Sequence, residues 1–371
     1  MWEFYNVHEK RYNAPFMPKV TFNNSNNVFF QSLKRSVDSY FSSKNLKKTG
    51  NWKLYIKTGI FVPGALGLYI YLLSGHYNHV AGILASVALG LTLVGIACNV
   101  MHDACHGSYS GKAWINSVMG LTMNGLGSNA FIWKIKHNII HHTFTNIDGL
   151  DDDIANGPLL RQCTTQKWMP IHRFQFLYMF VLYSVSTLSW MLRTDFKWYF
   201  TRKINNTRFR KLDPKQHVLF WTSKLLYTFF YIALPIYFLG WLPWLTGFLI
   251  LHFTMGLTLT IVFQLAHMVE KTTFALAGEA PKVIASEWAI HEVMTTANFA
   301  TGNRIISWLV GGLNFQIEHH LFPQISHVHY FALSKIVRRQ CELFGLPYNC
   351  YPFAWQALYS HIRLMKRLGN K

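Results

Sequence analysis

Residues 80–106 read VAGILASVALGLTLVGIACNVMHDACH, an apolar run that leads directly into a pair of histidines. A helix that crosses a bilayer needs about 20 predominantly apolar residues, and residues 80–100 meet that length. His102 and His106 are four residues apart, so their side chains share one face of a helix. The stretch therefore predicts a membrane helix that ends in two imidazoles positioned to bind a metal ion.

Two further histidine clusters follow along the chain, at residues 137–142 (HNIIHH) and 316–320 (QIEHH). A single histidine pair is more often structural than metal-binding, but the three clusters together contain seven histidines and one glutamine. Imidazole binds borderline metals in its neutral form. Seven histidines exceed the ligand set of one ion, so the clusters predict a site for two metal ions.

The composition is that of a lipid-facing protein. Of the 371 residues, 51% are hydrophobic and only 14% are charged, against roughly 25% charged in an average soluble protein. Short turns at residues 75–79 and around Pro243 join four apolar stretches into two hairpins. The stretches run approximately over Tyr55–Ser74, Val80–Val100, Leu225–Trp241 and Leu245–Ala266. Each is close to the length that a membrane helix requires.

Lysine and arginine, which give a net charge of +19, are concentrated in three regions. Residues 1–57 hold ten of them, residues 193–215 eight and residues 335–371 seven, whereas the turns at 75–79 and 240–244 hold none. Positive flanks of membrane helices stay in the cytoplasm, so both termini and all three histidine clusters are predicted to be cytoplasmic. No nucleic-acid-binding motif accompanies the charge, so nucleic acid is not an expected partner.

The predicted fold is an all-α integral membrane protein. Four transmembrane helices form two hairpins, and a cytoplasmic helical cap holds the histidine-rich di-metal site. Three regions are expected: a cytoplasmic amino-terminal segment (residues 1–54), a membrane domain (55–334) and a basic cytoplasmic tail (335–371). The first fifty residues show no cleavable secretory signal. The five cysteines lack CxxC spacing, which argues against a disulfide framework or a thiolate zinc site.

Two other partly apolar stretches are not interpreted as membrane helices. Residues Phe174–Leu192 contain several hydroxyl groups and would invert the second hairpin if they crossed the bilayer. An in-plane or cytoplasmic amphipathic helix is the preferred interpretation. The stretch Trp114–Trp133 is rich in glycine and interrupted by three asparagines.

The ligand type narrows the chemistry. Nitrogen and oxygen ligands without thiolate suit iron, zinc or copper. A zinc hydrolase of the HExxH type is not indicated, since His291-Glu292 is followed by Val293, Met294 and Thr295. A membrane haem protein would place paired histidines within facing membrane helices, whereas these clusters lie beyond the helix ends. A pair of irons that activates oxygen is the better interpretation.

These motifs resemble those of the membrane fatty-acyl desaturases, specifically the front-end type, which acts between an existing double bond and the carboxyl end. The resemblance covers roughly residues 50–340. It is carried by HDACH (102–106), WKIKHNIIHHTFTN (133–146), DDDI (151–154) and GGLNFQIEHHLFP (311–323). Gln316, in place of the first histidine of the third cluster, marks the front-end type. A di-iron hydroxylase remains the nearest alternative, and a non-enzymatic metal transporter is a more distant one.

The resemblance implies an eighth histidine ligand, and His267 at the end of the fourth apolar stretch fits that place. The expected metal ligands are His102, His106, His137, His141, His142, His267, His319 and His320. Ligating histidines usually donate their other N–H to a carboxylate or carbonyl. Residues expected to ligate or to support the ligands are Gln316, Asp103, Asp153, Glu318 and Asn138. His252 is expected to be structural, and His327 and His329 to be surface or core residues.

The resemblance also implies the reaction and its cofactors. A desaturase would use two iron ions and O2 to insert a cis double bond into a fatty acyl-CoA or acyl lipid. No haem-binding HPGG motif is present, so neither bound haem nor flavin is expected, and a separate ferredoxin or cytochrome b5 would supply electrons. The acyl tunnel is expected beside the first hairpin and Trp114–Trp133. Cations that could hold an anionic head group are Lys134, Lys136, Arg208, Arg210, Lys211 and Arg304.

Overall fold

The structure is a computed structural model that describes residues 20–155, 157–276 and 282–370. Within these residues, four helices are long and apolar enough to cross a membrane, which confirms the predicted number. We call them the first span (Trp52–Ser74), the second span (His79–His106), the third span (Pro214–Leu239) and the fourth span (Trp241–His267). Many large apolar side chains point outward from them, as expected for contact with lipid.

Side-chain caps set where three of the spans begin. Asn51, Asn78 and Asp213 each accept a hydrogen bond from a backbone N–H in the first turn of the following helix. The third span also has a proline at its first position, where the missing N–H costs nothing. It therefore begins at Pro214, about three turns before the predicted Leu225, because hydropathy alone does not detect the more polar turns, Pro214 to Lys224, that precede the apolar stretch.

Several helices contain π-helical turns, in which the chain is wound more widely than in an α-helix. One occupies Ala97–Met101 in the second span and another Phe229–Ala233 in the third. Ile135–His141 forms a third, which carries most of the second histidine cluster, and Trp190–Thr194 forms a fourth. Two of these wide turns thus lie at, or directly before, a histidine cluster.

The apolar stretch 174–192 lies in two helices, Pro170–Ser184 and Ser186–Thr201, which meet at an angle of 61°. We call them the bent pair. Because of the bend, the bent pair is not one straight membrane helix. If the two helices are taken together as one broken span, the protein has a fifth span. The bent pair packs closely on the fourth span, where a Cβ atom added to Gly256 would lie 2.4 Å from the carbonyl oxygen of Ser184.

Shorter elements cover the histidine-bearing ends of the spans. The stretch Trp114–Trp133 is not a span, and its helices are Ala113–Gly120, Thr122–Gly125 and Ala130–Lys134. The other helices outside the spans and the bent pair are Val28–Ser43, His142–Phe144, Trp288–Thr295, Arg304–Leu309, Gln316–Leu321, Tyr330–Leu343 and Ala354–Gly369. Single 3-10 turns occupy Asp152–Ile154, Gly157–Leu159, Pro170–Phe174 and His327–His329.

The described residues contain four two-stranded ladders, of which three connect distant parts of the chain and one is a local hairpin. Three are parallel: Val20–Phe22 with Lys282–Ile284, Ile147–Asp148 with Ala275–Leu276, and Asn298–Phe299 with Cys350–Tyr351. The fourth joins Lys203–Ile204 to Thr207–Arg208 in antiparallel fashion.

The terminal regions pack against each other. Ser32 Oγ in helix Val28–Ser43 donates to Gln340 Oε1 in helix Tyr330–Leu343 at 3.1 Å. The second of these helices also runs through the boundary expected between residues 334 and 335. The residues on either side of that boundary therefore belong to one helix. Residues 1–19, which hold part of the predicted amino-terminal segment, lie outside the described residues.

A buried ion pair ties the bent pair to the third span. Lys224 Nζ donates to Asp195 Oδ2 at 2.8 Å and to the carbonyl oxygens of Gly127 and Met191 at 2.7 and 3.0 Å. The side chain of Asp195 is fully buried, and that of Lys224 is 8% exposed. Removing one partner of a buried pair leaves an uncompensated charge, which costs about 3–5 kcal/mol.

We expect Lys224→Ala to lower the free energy of unfolding by about 3–5 kcal/mol, and thermal unfolding of the purified protein in detergent measures the change. Lys48→Ala is the matched control, because Lys48 pairs with Asp38 at the surface with both side chains more than 40% exposed. Such a pair contributes about 0–1 kcal/mol. Equal shifts in Tm for the two variants would contradict a stabilising role for the buried pair.

Candidate metal centre

The three histidine clusters and the end of the fourth span meet in one buried site. All eight histidines predicted as ligands are buried. They fall into groups whose ring nitrogens lie within 4.8 Å of one another. Site A comprises His102, His106, His137 and His319, and site B comprises His141, His267 and His320. His142 forms a third group with His319 and His320, and so links site A to site B.

The π-helical turns position the first two clusters. The turn at Ala97–Met101 directly precedes His102, and Trp133 stacks on the ring of His137 with 4.4 Å between centroids. On the turn at Ile135–His141, the rings of His137 and His141 are stacked at 5.3 Å. One of them belongs to site A and the other to site B. His137 and His141 also form a group of their own with Asp153, so this turn connects sites A and B.

In four of the histidines, Nδ1 faces a protein group. His320 Nδ1 lies 2.8 Å from Glu292 Oε2, and His141 Nδ1 lies 3.1 Å from both carboxylate oxygens of Asp151. His319 Nδ1 lies 3.1 Å from the Tyr330 hydroxyl, and His267 Nδ1 lies 3.4 Å from the Thr295 carbonyl oxygen. Contacts of this kind fix the orientation and tautomer of a ligating imidazole.

The second ring nitrogen, Nε2, has the properties of a metal ligand in several of these histidines. Nε2 of His267, His319 and His320 is buried and has no hydrogen-bond partner within the described residues. His137 Nε2 lies 3.3 Å from Nε2 of both His102 and His142. An unpaired buried nitrogen is costly, and a metal ion removes that cost. Nitrogen donors without thiolate suit iron, copper or zinc, so the residues present fit a metal pair.

The environment keeps most of the imidazoles neutral, as metal ligation requires. Burial, followed by repulsion from neighbouring imidazoles, lowers the pKa of His137, His142, His319 and His320. His141 differs. Burial opposes its protonation, but the carboxylates of Asp151 and Asp153 raise its pKa overall.

Two carboxylates of the acidic run after the second cluster support His141. Asp153 was predicted, and its Oδ2 lies 3.1 Å from His141 Nδ1. Burial disfavours its charge, but Lys136 and then His141 lower the pKa of Asp153 to about 2. Asp151 was missed. It is fully buried and also accepts from the backbone N–H of Asn146 at 2.9 Å.

Asp151→Asn is expected to weaken metal binding by about 10–100-fold, because the amide cannot replace the carboxylate that orients His141. Metal content after dialysis against chelators of graded strength measures the change. Asp148→Asn is the control, since Asp148 is only half-buried and bonds to Thr165 and Gln166 instead of to a histidine. Identical metal retention in both variants would argue against an orienting role for Asp151.

The other supporting residues predicted from sequence lie near the site but have other partners. Asp103 accepts from Ser326 Oγ at 2.7 Å, and Glu318 accepts from Asn298 Nδ2 and the Tyr348 hydroxyl, each at 2.8 Å. Amide nitrogens of two other predicted residues donate to backbone carbonyls, Asn138 to that of Cys105 and Gln316 to that of Leu313. These contacts brace the polypeptide around the histidines.

Three histidines outside the ligand groups have structural contacts. His252 is fully buried in the fourth span and bonds to Tyr227 and Thr187. His327 is a core residue, with Nε2 2.9 Å from Lys57 Nζ and Nδ1 3.0 Å from Asp103. It therefore links the first span to the residue after His102, a role that spacing along the chain did not reveal. His329 is buried against the Thr49 carbonyl oxygen.

The family model described as "Fatty acid desaturase" matches residues 78–352, which include all three histidine clusters. The chain belongs to the fatty acid desaturase family. It is an enzyme that desaturates fatty acyl chains, and family membership agrees with its four helices of membrane-spanning length.

The desaturase is similar to curated proteins along almost its whole length. It is 33% identical to a sn-1 linoleoyl-lipid 6-desaturase of Synechocystis sp., over 92% of this chain and 96% of the relative. It is 31% identical to a sn-1 linoleoyl-lipid 6-desaturase of Arthrospira platensis, over 95% of each chain. An acyl-lipid (8-3)-desaturase of Physcomitrium patens is 32% identical over 93% of this chain and 72% of the relative.

The cations predicted to hold a head group lie on separate elements of the desaturase. Lys136 is buried and forms an ion pair with Asp153. It is therefore not exposed for binding an anionic head group, as had been expected. Arg208, Lys211 and Arg304 are exposed, whereas Lys134 and Arg210 are half-buried.

A cavity of about 470 Å³ reaches the metal centre, where His102 and His137 line it. We call it the inner cavity. Its apolar lining comes mainly from the end of the second span, the bent pair and the fourth span, and includes Met101, Leu259 and Phe263. The tunnel was expected beside the first hairpin, but among the described residues the first span contributes nothing to the lining. Residues 123–133 do contribute, as predicted.

One glycine of the stretch Trp114–Trp133, Gly127, lies against the third span. It has φ +93°, and a Cβ atom there would lie 2.4 Å from the ring of Tyr227. This glycine therefore allows close packing of the third span.

Proposed function

We propose that this desaturase uses O2 and two iron ions to insert a cis double bond into a linoleoyl chain of a membrane lipid, between its carboxyl end and its existing double bonds. The main support is the convergence of eight buried histidines at the end of an apolar cavity. The names of the two linoleoyl-lipid 6-desaturases, which match more than nine-tenths of the chain, favour this substrate and this front-end position.

Iron is proposed for both sites on chemical grounds. Sites A and B offer nitrogen ligands, which iron accepts, and the reaction needs a metal that changes oxidation state, which zinc does not. Bound iron would supply the reduction of O2 and the removal of hydrogen from an unactivated C–H bond. In total, two hydrogens leave adjacent methylenes. These hydrogens, two external electrons and two protons convert O2 into two water molecules.

The protein would contribute position and the exclusion of water. Glu292, Asp151 and Tyr330 hold three of the imidazoles in fixed orientations, so the ligands need no rearrangement during turnover. The apolar walls at Met101 and Phe263 would place one methylene pair beside the metals and keep solvent away.

The reaction needs two external electrons, and a separate ferredoxin or cytochrome b5 would supply them. Bound haem and flavin are not part of the proposed enzyme. The donor would dock on the cytoplasmic face, where the positive-inside rule places the metal centre and both termini. In this arrangement residues 55–334 form the membrane domain, with residues 1–54 and 335–371 on its cytoplasmic side.

An anionic lipid head group would be held by the exposed or half-buried cations Arg208, Arg210, Lys211, Lys134 and Arg304, which offer charge at the protein surface. Lys136 is left out of this set because it is engaged with Asp153.

The test is mass spectrometry of acyl chains in cells that express this protein and are fed linoleate, with and without a co-expressed ferredoxin and its reductase. A new acyl species lighter by two hydrogens, with its double bond on the carboxyl side of those in linoleate, is expected. A species heavier by one oxygen would instead indicate a hydroxylase. If only free acyl-CoA, and no lipid-bound chain, gained the double bond, the lipid-linked substrate would be wrong.

A further inference from the structure

A second cavity, of about 310 Å³, lies between the two hairpins at their ends remote from the histidines. We call it the outer cavity. Its apolar lining includes Leu72, Leu89, Tyr231, Trp244 and Phe248, which come from all four spans. Trp244 precedes His267 on the fourth span by 23 residues, or about 35 Å at 1.5 Å per residue. The outer cavity is thus far from the metal centre along the same helix.

The two cavities follow one another along shared helices. On the fourth span Leu251 lines the outer cavity and Met255, one turn later, lines the inner cavity. On the second span Leu89 lines the outer cavity and Ala97 the inner one. Residues one or two helical turns apart lie on the same face of a helix, so the two cavities lie one after the other between the spans.

Three hydrogen-bonded side chains separate the cavities. His252 bonds through Nε2 to the Tyr227 hydroxyl at 2.7 Å and through Nδ1 to Thr187 Oγ1 at 3.2 Å. Thr187 lines the inner cavity. On the other side, Tyr227 stacks on Tyr231 with 4.7 Å between centroids, and His252 packs on Phe248 at 4.5 Å. Tyr231 and Phe248 line the outer cavity. We call Thr187, Tyr227 and His252 the partition.

The partition is polar although its neighbours are apolar. An ionisable side chain inside a membrane span is costly and usually has a function. Here both ring nitrogens of His252 are satisfied, so the closed arrangement is stable. It consists of side chains alone, however, so rotation of Tyr227 and His252 would join the two cavities.

We propose that the partition is a gate, and that the outer cavity receives the methyl end of acyl chains too long for the inner cavity. This inference rests on the proposed function, because it takes a lipid acyl chain as the occupant. A hydrocarbon tail cannot replace the hydrogen bonds of His252, so a chain that reaches the partition must break them. Chain-length preference would then depend on the gate and on the room beyond it.

Filling the outer cavity tests the proposal at a distance from the metals. Gly247 lines that cavity, and a Cβ atom there would meet only Ser86 Oγ, at 3.4 Å. Cells expressing Gly247→Leu would be fed palmitoleate, linoleate and eicosadienoate together, and the products compared by mass spectrometry. The amount of product from eicosadienoate, divided by that from palmitoleate, is expected to fall about tenfold. One surplus methylene in a closed hydrophobic pocket has an effect of this size. Gly67→Leu is the control, since Gly67 is exposed with nothing within 4 Å of its Cβ position.

A substitution that opens the gate should increase the share of the longest product. Tyr227→Leu removes the hydroxyl that bonds to His252 and is expected to raise the same ratio, whereas Tyr237→Leu, at a position 82% exposed, should not change it. If both Gly247→Leu and Tyr227→Leu form products with an unaltered ratio of longest to shortest chain, the proposal of a gate is wrong, whereas the desaturase function stands. If the unsubstituted chain with its electron donor forms no product, the proposed function fails.

Discussion

His320→Ala is expected to abolish desaturation and to release metal from the purified protein. His320 is fully buried, and its Nδ1 lies 2.8 Å from Glu292 Oε2. Its Nε2 has no hydrogen-bond partner within the described residues, and its ring lies in site B with those of His141 and His267. Alanine removes the ligand and leaves the Glu292 carboxylate without its imidazole. The loss of activity should exceed the about 10–100-fold change in metal affinity typical of a residue that only orients a ligand.

The measurement pairs metal analysis of the purified protein with the yield of desaturated acyl chains. His329→Ala is the matched control: this histidine is also buried and lies nearby in sequence, but it contacts the Thr49 carbonyl oxygen and belongs to no metal group within the described residues. It should retain metal and activity. A His320→Ala protein that still binds two metals per chain, or still forms product, would remove His320 from the ligand set.

Leu259→Trp is expected to stop turnover without loss of metal. Leu259 lines the inner cavity on the fourth span, eight residues before His267, or about 12 Å along the helix. An indole at this position would occupy the space that an acyl chain needs, while sites A and B keep all their ligands. We expect desaturation to fall at least about a hundredfold, because overfilling a hydrophobic pocket by one methylene already costs 10–200-fold.

Acyl products and metal content are again measured together, because only their combination separates a blocked cavity from a damaged metal centre. Phe253→Trp is the control on the same helix, since Phe253 is 39% exposed and does not line the inner cavity. Normal activity in Leu259→Trp would mean that the acyl chain reaches the metals by another route. A parallel loss of metal would mean that the substitution distorts the site.

The spans and the identity of the clustered histidines were predictable because each depends on local sequence. Hydropathy over a 20-residue window reports membrane length, and four such windows correspond to four observed spans. Spacing of four residues placed His102 and His106 together on one helix. His267 was predicted through the resemblance to the desaturases, and its ring lies among those of the clustered histidines.

Partners from distant segments could not be predicted in the same way. Glu292 supports His320 because helix Trp288–Thr295 packs against the third cluster, and nothing in the local pattern around His291-Glu292 indicates that contact. His327 and Lys57 are 270 residues apart and contact each other directly, while the second ring nitrogen of His327 faces Asp103. Asp151 and Asp153 belong to a run of three aspartates that is typical of a solvated loop. The resemblance indicated Asp153, and only the fold reveals that Asp151 faces His141 as well.

The wide turn at Ala97–Met101 makes the metal centre sensitive to the number of residues in the chain as well as to their identity. Each residue of an α-helix advances the direction of the side chains by about 100°. The turn already holds more residues than an α-helical turn, and one further residue inserted between Ala97 and Met101 would turn His102 and His106 away from His137 even though every ligand is still encoded. Helical phase is therefore a constraint here, and a single-residue insertion should be tolerated in the Lys203–Arg208 hairpin but not in this turn.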